Sequence, residues 1–465
     1  MSLTSLPPYL LRLLIPVLLL VLHASPPVSA VSVSSPDALQ AEAMVFFHRH
    51  GDRSPYQFMP SDVSNNALWK DGPGMLTTTG MRQLENLGTA FRSRYLLGRP
   101  FALLGPSAEY HHAKFTVRST DFDRTLQSAE SFLNGFFPPG SGPAGGLSDS
   151  AQPVPMRTMP GELDSVLAGY SGGTCARVRE LKKAAMHSKE WFEREKQHEE
   201  LLEKAAKISG YGKLTLANVS AVSDALLCEK ENNMTWLEGF EEEPEMFEEL
   251  YKLAMTTLRP AFASTPELSR LGGGNMLATV VARFQRAAGV PVTVPERPTP
   301  QTPVLQDGAG SSDVRISQFS AHDSTLIALL GALNAFDDDN PPYGSSVVFE
   351  LLYDPADSTQ KYVRVYYNKG CDVDSLFGTP LKVICGDEIC TLDEFVKALD
   401  PMIPKQYENE CHTRDTVAYL RENIYKNSSV TLWTIVLLIC MATVFFVCRL
   451  RRTRTEPKET YQPVV

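Results

Sequence analysis

Two short segments lie far apart in the chain: the apolar run Met44–Phe47, and Val314–Ser320, in which Val, Ile and Phe alternate with polar residues. Each ends in a short charged loop that a helical pattern follows. Short runs of this kind predict strands, and charged residues, Gly or Pro end them. A strand, loop and helix in both halves of the chain predict a sheet with a parallel centre and helices on its faces. Ligands bind such sheets beyond the carboxyl ends of the strands. We therefore expect the loops around His50 and His322 to lie at one binding site.

The segment between these two units is predicted to be a helical insertion. From about residue 178 to 209, and again from about 241 to 258, the sequence is charged and helical in pattern, with no clear strand between. A Gly-, Pro- and Ser-rich stretch, Pro138–Ser150, predicts a boundary before it. The chain is accordingly divided into an α/β core, about 40–140 and 270–415, and a mainly α-helical cap, about 141–265.

The first 30 residues have the pattern of a secretory signal peptide. Leu10–Leu22 is apolar except for Arg12 and Pro16, and Val28-Ser29-Ala30 puts small or apolar residues where signal peptidase cleaves. We predict cleavage after Ala30. An uncleaved anchor is the alternative, which the short apolar run and the prolines that follow it disfavour.

A second apolar run, residues 430–448, has the properties of a transmembrane helix. Its 19 residues carry no charge and could cross the ~30 Å hydrocarbon core of a bilayer. Four arginines follow within six residues, from Arg449 to Arg454, and positive charge marks the cytoplasmic side of a span. The prediction is a type I membrane protein with residues 31–429 lumenal or extracellular and residues 449–465 in the cytoplasm.

Charge and cysteine content fit a secreted domain. The formal net charge of -10 argues against nucleic acid as a partner, because phosphate-backbone binding needs a basic surface. The even number of cysteines before the span predicts disulfides, although six cysteines allow fifteen connectivities and spacing alone selects none. Cys385 and Cys390 are close enough for a local bridge, and Asn218 and Asn233 are candidate glycan acceptors. The six cysteines are Cys175, Cys228, Cys371, Cys385, Cys390 and Cys411.

The sharpest motif is the loop Arg49–Pro55, with the sequence RHGDRSP. Arg49 and Arg53 carry guanidinium groups that can bind phosphate oxygens in bidentate fashion at every relevant pH. A neutral His50 imidazole between them could attack phosphorus. Gly51 is expected to allow close approach of the backbone to the anion. The alternative, a solvated basic loop, is disfavoured because chance produces the longer R-H-G-x-R-x-P pattern rarely.

The loop resembles the active-site signature of the histidine acid phosphatases, the second branch of the histidine phosphatase superfamily. Leu76–Tyr95 resembles the helix after the family's active-site loop, Arg118–Thr125 its second arginine-bearing block, and His322-Asp323 its His-Asp dipeptide. The resemblance covers roughly residues 40–415 and is greatest to the membrane-bound, lysosomal type. It implies a phosphoglycerate mutase-like, doubly wound α/β sheet flanked by helices, with an inserted mainly α-helical cap.

The resemblance also implies the chemistry and the site residues. His50 would form a phosphohistidine, and Asp323 would protonate the leaving group. The substrates would be small phosphate monoesters, and neither a metal nor another cofactor would be required. The phosphate oxygens would be held by Arg49, Arg53, Arg124 and His322.

Several nearby residues have other interpretations. Asp52 is predicted to be a salt-bridge partner that orients the arginines, and Arg118 is as well explained by a structural role. His48 is interpreted as a strand-end histidine rather than a residue of the pocket mouth. His48 with His50, or His111 with His112, could suggest a metal pair, but Arg49 and Arg53 make a cation site at the first pair electrostatically poor.

For the cysteines, the resemblance implies the disulfides Cys175–Cys411 and Cys385–Cys390, and it leaves Cys228–Cys371 as the third pair. It also suggests a homodimer. The alternatives to a general acid phosphatase are a phytase or other specialised phosphomonoesterase of the same branch, and a catalytically silent receptor or adhesion ectodomain.

The predicted cytoplasmic tail carries one short motif. Tyr461-Gln-Pro-Val464 has the form Tyr-x-x-apolar of a sorting signal. Such a signal would contact a clathrin adaptor and direct endocytosis. The compartments left open are the plasma membrane, the endosome and the lysosome.

Overall fold

The structure is a computed structural model that describes residues 38–98, 102–147, 152–295, 313–382 and 384–413. The predicted signal peptide, membrane segment and cytoplasmic tail lie outside these residues, and so does the tail motif. Within the described ranges, no helix is both long and apolar enough to cross a membrane.

A single mixed sheet of seven strands organises the described residues. Its spatial order is β3-β2-β4-β1-β5-β6-β7. The four strands β3, β2, β4 and β1 run parallel, and β5, β6 and β7 add antiparallel strands at one side. The predicted parallel centre is confirmed. The strands are β1 Gln40–Arg49, β2 Phe115–Ser119, β3 Met156–Arg157, β4 Ile316–Ala321, β5 Ser346–Asp354, β6 Asp357–Asn368 and β7 Ile389–Thr391.

Strand β1 is buried along nearly all its length because helices cover both faces of the sheet. Side chains alternate between the faces of a strand. Val45 and Phe47 therefore pack into one hydrophobic core, while Met44 and Phe46 pack into the other.

The flanking helices divide between these two cores. On the Phe46 face lie α2 (Thr78–Arg92), which ends in a π-helical turn, Ser93–Leu97, and α3 (Asp123–Phe136). On the Phe47 face lie α11 (Pro266–Ala287), α12 (Asp323–Ala332) and α13 (Leu392–Leu399). Two short helices complete this part of the chain, α1 (Val63–Asn66) and α14 (Tyr407–Glu410).

Between β3 and α11, the regular secondary structure of the described residues consists of helices. The region expected to be helical from 178 to 209 consists of three helices, because the chain breaks near Met186 and His198. Residues 156–157 form β3, so this part of the predicted cap belongs to the sheet instead. The inserted helices are α4 Ala176–Ala185, α5 Lys189–Gln197, α6 Glu199–Ser209, α7 Val219–Glu231, α8 Glu238–Glu241, α9 Pro244–Met255 and α10 Leu258–Phe262.

The inserted helices have a hydrophobic core of their own. Trp191, Leu202, Leu226, Phe240 and Leu250 are buried together, apart from the two cores of the sheet. Because this core is separate, the inserted helices pack beside the sheet and do not extend either of its two cores.

Two of the three expected disulfides are present, Cys175–Cys411 and Cys385–Cys390. The first joins the start of α4 to the segment that follows α14. The third pair was predicted wrongly, because Cys228 and Cys371 are free thiols. Cys228 Sγ is buried 3.3 Å from the Tyr343 hydroxyl. Cys371 packs instead beside Gly344, so the two thiols contact different parts of the loop before β5.

Candidate active site

Strand register brings the three predicted loops to one edge of the sheet. Arg49 at the end of β1 pairs with Ala321 on β4, and Ser119 at the end of β2 pairs with Ser320. The next residues are tied by backbone hydrogen bonds, from His50 N to Ala321 O at 3.0 Å and from Thr120 N to Ser320 O at 3.1 Å. His50, Thr120 and His322 therefore follow three adjacent strands at the same level.

Gly51 is required by packing between the loop and helix α2. A Cβ atom at Gly51 would lie 2.3 Å from the backbone oxygen of Gly80, and one at Gly80 would lie 2.2 Å from Asp52 O. The two glycines let the loop after β1 lie directly on the first turn of α2. This contact alone is enough to require glycine at position 51, and the expected approach of the backbone to an anion stays a prediction.

His50 is held in the tautomer that a nucleophile needs. Its Nδ1 lies 2.8 Å from Gly51 O, and a carbonyl oxygen can only accept, so Nδ1 carries the proton and Nε2 keeps its lone pair. The ring is buried. Burial, followed by the charges of Arg49 and Arg53, lowers the pKa of His50 well below its ordinary value. The imidazole therefore remains unprotonated in acid.

Arg49 and Arg53 are both buried and both paired with carboxylates. Arg49 donates to Asp323 at 2.9 Å and to Pro341 O at 2.6 Å, and its guanidinium lies 4.2 Å from the centre of the Tyr343 ring. Arg53 donates to both oxygens of Asp224, each at 2.9 Å. These contacts fix the two guanidinium groups in space.

Arg124 on α3 completes a group of three arginines. Its guanidinium donates to His322 Nδ1 at 3.2 Å. The Nε–H groups of Arg49, Arg53 and Arg124 are all buried and find no acceptor within the described residues. Buried donors are rarely left without an acceptor. The three guanidinium groups carry three positive charges, and the carboxylates of Asp323 and Asp224 neutralise two of them. The site therefore suits an anion.

His322 belongs to a hydrogen-bonded chain. Arg124 can only donate, so His322 Nδ1 accepts from it, and Nε2–H donates to Thr120 Oγ1 at 3.0 Å. Burial and the charge of Arg124 lower the pKa of His322, so the ring is neutral. Both ring nitrogens thus have protein partners in the resting site.

Asp323 lies at the first turn of α12, with 27% of its side chain exposed. Burial by itself would raise the pKa of this carboxyl. The neighbouring charges of Arg49 and Arg53 outweigh that effect and hold the pKa below its ordinary value. The resting carboxylate is therefore ionised and paired with Arg49.

The structure corrects the role expected of Asp52. Asp52 Oδ2 is bonded to the hydroxyl of Thr77 and, at 3.0 Å, to the amide of Asn232. Burial raises the pKa of this carboxyl. The carboxylate that orients Arg53 is Asp224, which has no recognisable motif around it.

Two residues outside the site are explained by packing. Arg118 forms a buried ion pair with Asp164, which agrees with a structural role. His48 is buried beside the rings of Phe46 and Phe132. Burial lowers its pKa to about 4, and the side chain does not line the pocket mouth.

The remaining predicted sites lie elsewhere on the surface. Asn233 is exposed, whereas Asn218 is half-buried and its side-chain amide is hydrogen-bonded to Thr215 and Lys213. Within the described part of the chain, no cluster of three or more His, Cys, Asp or Glu side chains could hold a metal ion.

Tyr343 and Asp224 were missed by sequence reasoning. Tyr343 stacks on Arg49 and lies 5.8 Å from His50 between ring centres. The Pro341-Pro342-Tyr343-Gly344 turn before β5 was the only local signal for it. Asp224 reaches the site from α7, so its role depends on how the inserted helices fold.

The six predicted catalytic and phosphate-binding residues surround or adjoin one cavity of about 480 Å³. It opens between the carboxyl edge of the sheet and the inserted helices. Five of the six line it, while Arg49 lies behind and contacts the lining residue Asp323. A buried imidazole with a free Nε2 beside three arginine side chains is an arrangement suited to phosphoryl transfer.

The sequence comparison identifies the family. Residues 42–368 match the histidine phosphatase superfamily (branch 2), and the chain belongs to this family. The lysosomal acid phosphatase of Homo sapiens is 32% identical over 377 residues, which are 79% of each chain. The prostatic acid phosphatase of Homo sapiens is 29% identical over 382 residues, which are 82% of this chain and 90% of the relative. The chain is therefore a phosphatase.

Solved structures agree on the fold. The phytase of Hafnia alvei in its apo form aligns with a TM-score of 0.55 at 16% identity, covering 82% of this chain and all of the phytase. The phytase of Citrobacter braakii aligns with a TM-score of 0.54 at 17% identity, covering 80% of this chain and all of the phytase. The predicted α/β class is confirmed by these similarities and by the sheet.

Proposed function

We propose that the chain is a membrane-anchored acid phosphatase that hydrolyses phosphate monoesters through a phosphohistidine on His50. One observation carries this proposal. The unprotonated Nε2 of His50 lies among three arginines whose buried Nε–H groups have no acceptor within the described residues. A phosphoryl group would satisfy these donors and would accept the imidazole lone pair.

In the first step, His50 Nε2 attacks phosphorus, and the phosphorus–nitrogen bond forms as the ester phosphorus–oxygen bond breaks. Arg49, Arg53 and Arg124 hold the phosphate oxygens while charge spreads over them. Asp323 gives its proton to the departing alkoxide. In the second step, Asp323 takes a proton from water, the water oxygen attacks phosphorus, and the phosphorus–nitrogen bond breaks to release phosphate and free His50.

The need for a proton on Asp323 would give the enzyme an acid optimum. The resting carboxylate is ionised because Arg49 and Arg53 lower its pKa. Bound phosphate oxygens would partly neutralise these arginines and so raise the pKa of Asp323. Acid conditions then supply the proton, while the low pKa of His50 keeps the nucleophile available.

His322 would act with Arg124. A phosphate oxygen can replace His322 Nδ1 as the acceptor for Arg124. His322 then contacts a phosphate oxygen as a donor when Nδ1 is protonated, a state that the negative charge of the substrate favours. Thr120 keeps the ring oriented during this exchange.

The proposed cellular setting rests on the two apolar segments and on the relatives. Residues 1–30 would direct secretion and residues 430–448 would anchor the enzyme as a type I protein. The names of the lysosomal acid phosphatase relatives support delivery to an acidic lumen. The Tyr461–Val464 motif would contact a clathrin adaptor, and a homodimer remains a proposal from the family resemblance.

The test is hydrolysis of p-nitrophenyl phosphate by the full-length protein in detergent, from about pH 4 to 8, with and without EDTA. Wild type is expected to be most active in acid and insensitive to EDTA. Rapid quenching into alkali with ³²P-labelled substrate should trap label on His50. A folded wild-type protein without activity, or label on another residue, would refute the proposal. The His50→Ala variant is expected to lose both activity and label.

A further inference from the structure

The turn that precedes β5 is fastened to the end of β1 and the start of the active-site loop. Arg49 N donates to Ser345 O at 2.9 Å, and Gly344 N donates to His50 O at 3.1 Å. The carbonyl of Pro341 accepts a hydrogen bond from Arg49 Nη1 at 2.6 Å. The turn therefore holds the main chain of Arg49 and His50 as well as part of the Arg49 side chain.

Tyr343 is the central side chain of this turn. Its ring lies 5.8 Å from the His50 ring between ring centres, and its hydroxyl lies 3.3 Å from Cys228 Sγ on α7. The side chain is buried, and it is not among the described residues that line the cavity. Burial raises the pKa of the Tyr343 hydroxyl well above its ordinary value. The hydroxyl therefore stays neutral, and Tyr343 contacts the site from behind without a part in proton transfer.

The Tyr343 ring covers the face of the Arg49 guanidinium. The guanidinium carbon lies 4.2 Å from the ring centre, within the distance at which an aromatic face attracts a cation. The edge groups have other partners: Nη2 pairs with Asp323, Nη1 donates to Pro341 O, and Nε–H finds no acceptor within the described residues. The ring stabilises the buried charge without accepting any of these N–H groups, so Nε–H remains available for an anion.

We propose that Tyr343 is a positioning residue for the phosphate site, whose ring holds the Arg49 guanidinium in one orientation before the anion binds. The inference rests on the proposed phosphatase function and adds a residue that acts through Arg49 rather than on the substrate. A polar neighbour would hold Arg49 by occupying an N–H that phosphate needs, whereas an aromatic face occupies none. Because Arg49 is already aligned, substrate binding does not have to order a long side chain.

The first experiment compares Tyr343→Leu with Tyr343→Phe in the full-length protein. Tyr343→Leu removes the ring and should lower kcat/KM for p-nitrophenyl phosphate by about 10- to 100-fold, because small misplacements of a catalytic group are costly. The inhibition constant Ki for inorganic phosphate should rise by about two- to tenfold, the cost of ordering one side chain. Tyr343→Phe keeps the ring and should bring both values to within about threefold of wild type, because only a weak hydrogen bond to a thiol is lost.

A second tyrosine on the same strand provides the control. Tyr353 pairs with Gln40 at the opposite end of β5 and β1, and the Lys361 ammonium lies 5.1 Å from its ring centre. Tyr353→Leu should change neither kcat/KM nor Ki. Partial unfolding of Tyr343→Leu would lower kcat with the active fraction and leave Ki for phosphate unchanged. An unchanged Ki in Tyr343→Leu, or an equal loss of kcat/KM in Tyr343→Phe, would overturn the proposal.

A double-mutant cycle tests whether Tyr343 acts through Arg49. Arg49→Lys keeps the charge but loses the planar group that stacks on the ring. In this background, Tyr343→Leu should lower kcat/KM by no more than about twofold further, because residues that act together are not additive. A further loss as large as that in the wild-type background would show that Tyr343 acts independently of Arg49, which would refute the positioning role.

Titration calorimetry with inorganic phosphate separates this proposal from the proposed function, because it requires no turnover. Wild type that binds phosphate but does not hydrolyse p-nitrophenyl phosphate would refute the phosphatase mechanism alone. The dissociation constants of the Tyr343 variants would still test the positioning role, with the same weakening of about two- to tenfold expected for Tyr343→Leu. Wild type that binds no phosphate would refute both proposals.

Discussion

The sheet edge and the inserted helices contribute to the active site in different ways. The sheet edge supplies the groups that would react with phosphate, and each of them lies next to a strand end or helix start in a short motif. The inserted helix α7 and the residue after it restrain these groups: Asp224 on α7 holds Arg53, and Asn232 at the end of α7 holds Asp52. The difference shows that reactivity is encoded locally, whereas the geometry of the arginines depends on contact between two separately packed regions.

The largest expected effect comes from the sheet edge, at Asp323. Asp323→Asn should lower kcat/KM for benzyl phosphate, which reports the step that cleaves the ester, by about 10²–10⁴-fold, the usual contribution of a general acid. The loss should be smaller for p-nitrophenyl phosphate, whose leaving group departs without a proton. Steady-state kinetics on both substrates measures the difference. An equal loss on both substrates would contradict the proton-donor role.

The contact between the two regions is tested by Asp224→Asn. Removing the carboxylate leaves the buried Arg53 charge uncompensated, which should lower the free energy of unfolding by about 3 kcal/mol. Inorganic phosphate should restore part of this loss, because it supplies negative charge at the same place. Thermal unfolding with and without phosphate measures both effects.

A surface pair provides the control for that variant. Asp338 pairs with Arg259, and both side chains are about half exposed. Asp338→Asn should change stability by less than about 1 kcal/mol and should not alter the response to phosphate. If Asp224→Asn behaved in the same way, α7 would have no part in restraining Arg53.

A pH-dependent effect, smaller over any one pH unit than that of Asp224→Asn, is expected from Glu229, also on α7. Burial, and then the neighbouring Asp62, raise the pKa of this carboxyl to about 9, above its ordinary value of about 4.3. The folded state therefore binds the proton more tightly than the unfolded state. The resulting stability is fully present below about pH 4 and declines as pH rises towards 9, by up to about 1.4 kcal/mol per pH unit.

Denaturant unfolding measured across this pH range checks whether the free energy of unfolding falls as pH rises. Glu229→Gln should flatten the decline because the amide does not titrate, whereas Glu231→Gln, an exposed change on the same helix, should leave it unaltered. Stability that rises with pH in wild type but not in Glu229→Gln would show that Glu229 is ionised in the folded protein.

The smallest effect concerns the free cysteines. Alkylation of the denatured but unreduced protein, followed by peptide mass spectrometry, should label Cys228 and Cys371. The four cysteines of the two disulfides should be labelled only after reduction. Cys228→Ala should retain most of the activity because the thiol is in no disulfide and Asp224 still holds Arg53 when the contact of Arg53 with Cys228 Sγ is lost. If neither Cys228 nor Cys371 were alkylated before reduction, the result would favour the Cys228–Cys371 disulfide over two free thiols.

Much of the fold was predictable because its signals are local. The apolar strands and the charged loops after them indicated the parallel centre of the sheet, and the helical pattern of the insertion indicated that region. Residues 156–157 were missed because two residues carry too little periodicity to indicate a strand. The three separate helices within 176–209 were missed because charged helical patterns continue across short breaks.

The candidate site was predictable to a similar extent. Arg49, His50 and Arg53 lie in one motif, and the family resemblance adds Arg124, His322 and Asp323. The partners of these residues were not predictable. Asp52 was assigned as the carboxylate that orients the arginines because it is adjacent in sequence, but Asp224, more than 170 residues away, forms that pair.

The chemical groups of the site, and the strand ends at which they lie, can be read from the amino-acid sequence because strand periodicity and the motif are properties of neighbouring residues. The folded chain was needed to find four further features: the tautomer of His50, the ionised pair of Arg49 with Asp323, the restraint of Arg53 by α7, and the free state of Cys228. Each of these depends on burial or on a contact between distant segments. Electrostatic free energies in a buried site are set by such surroundings.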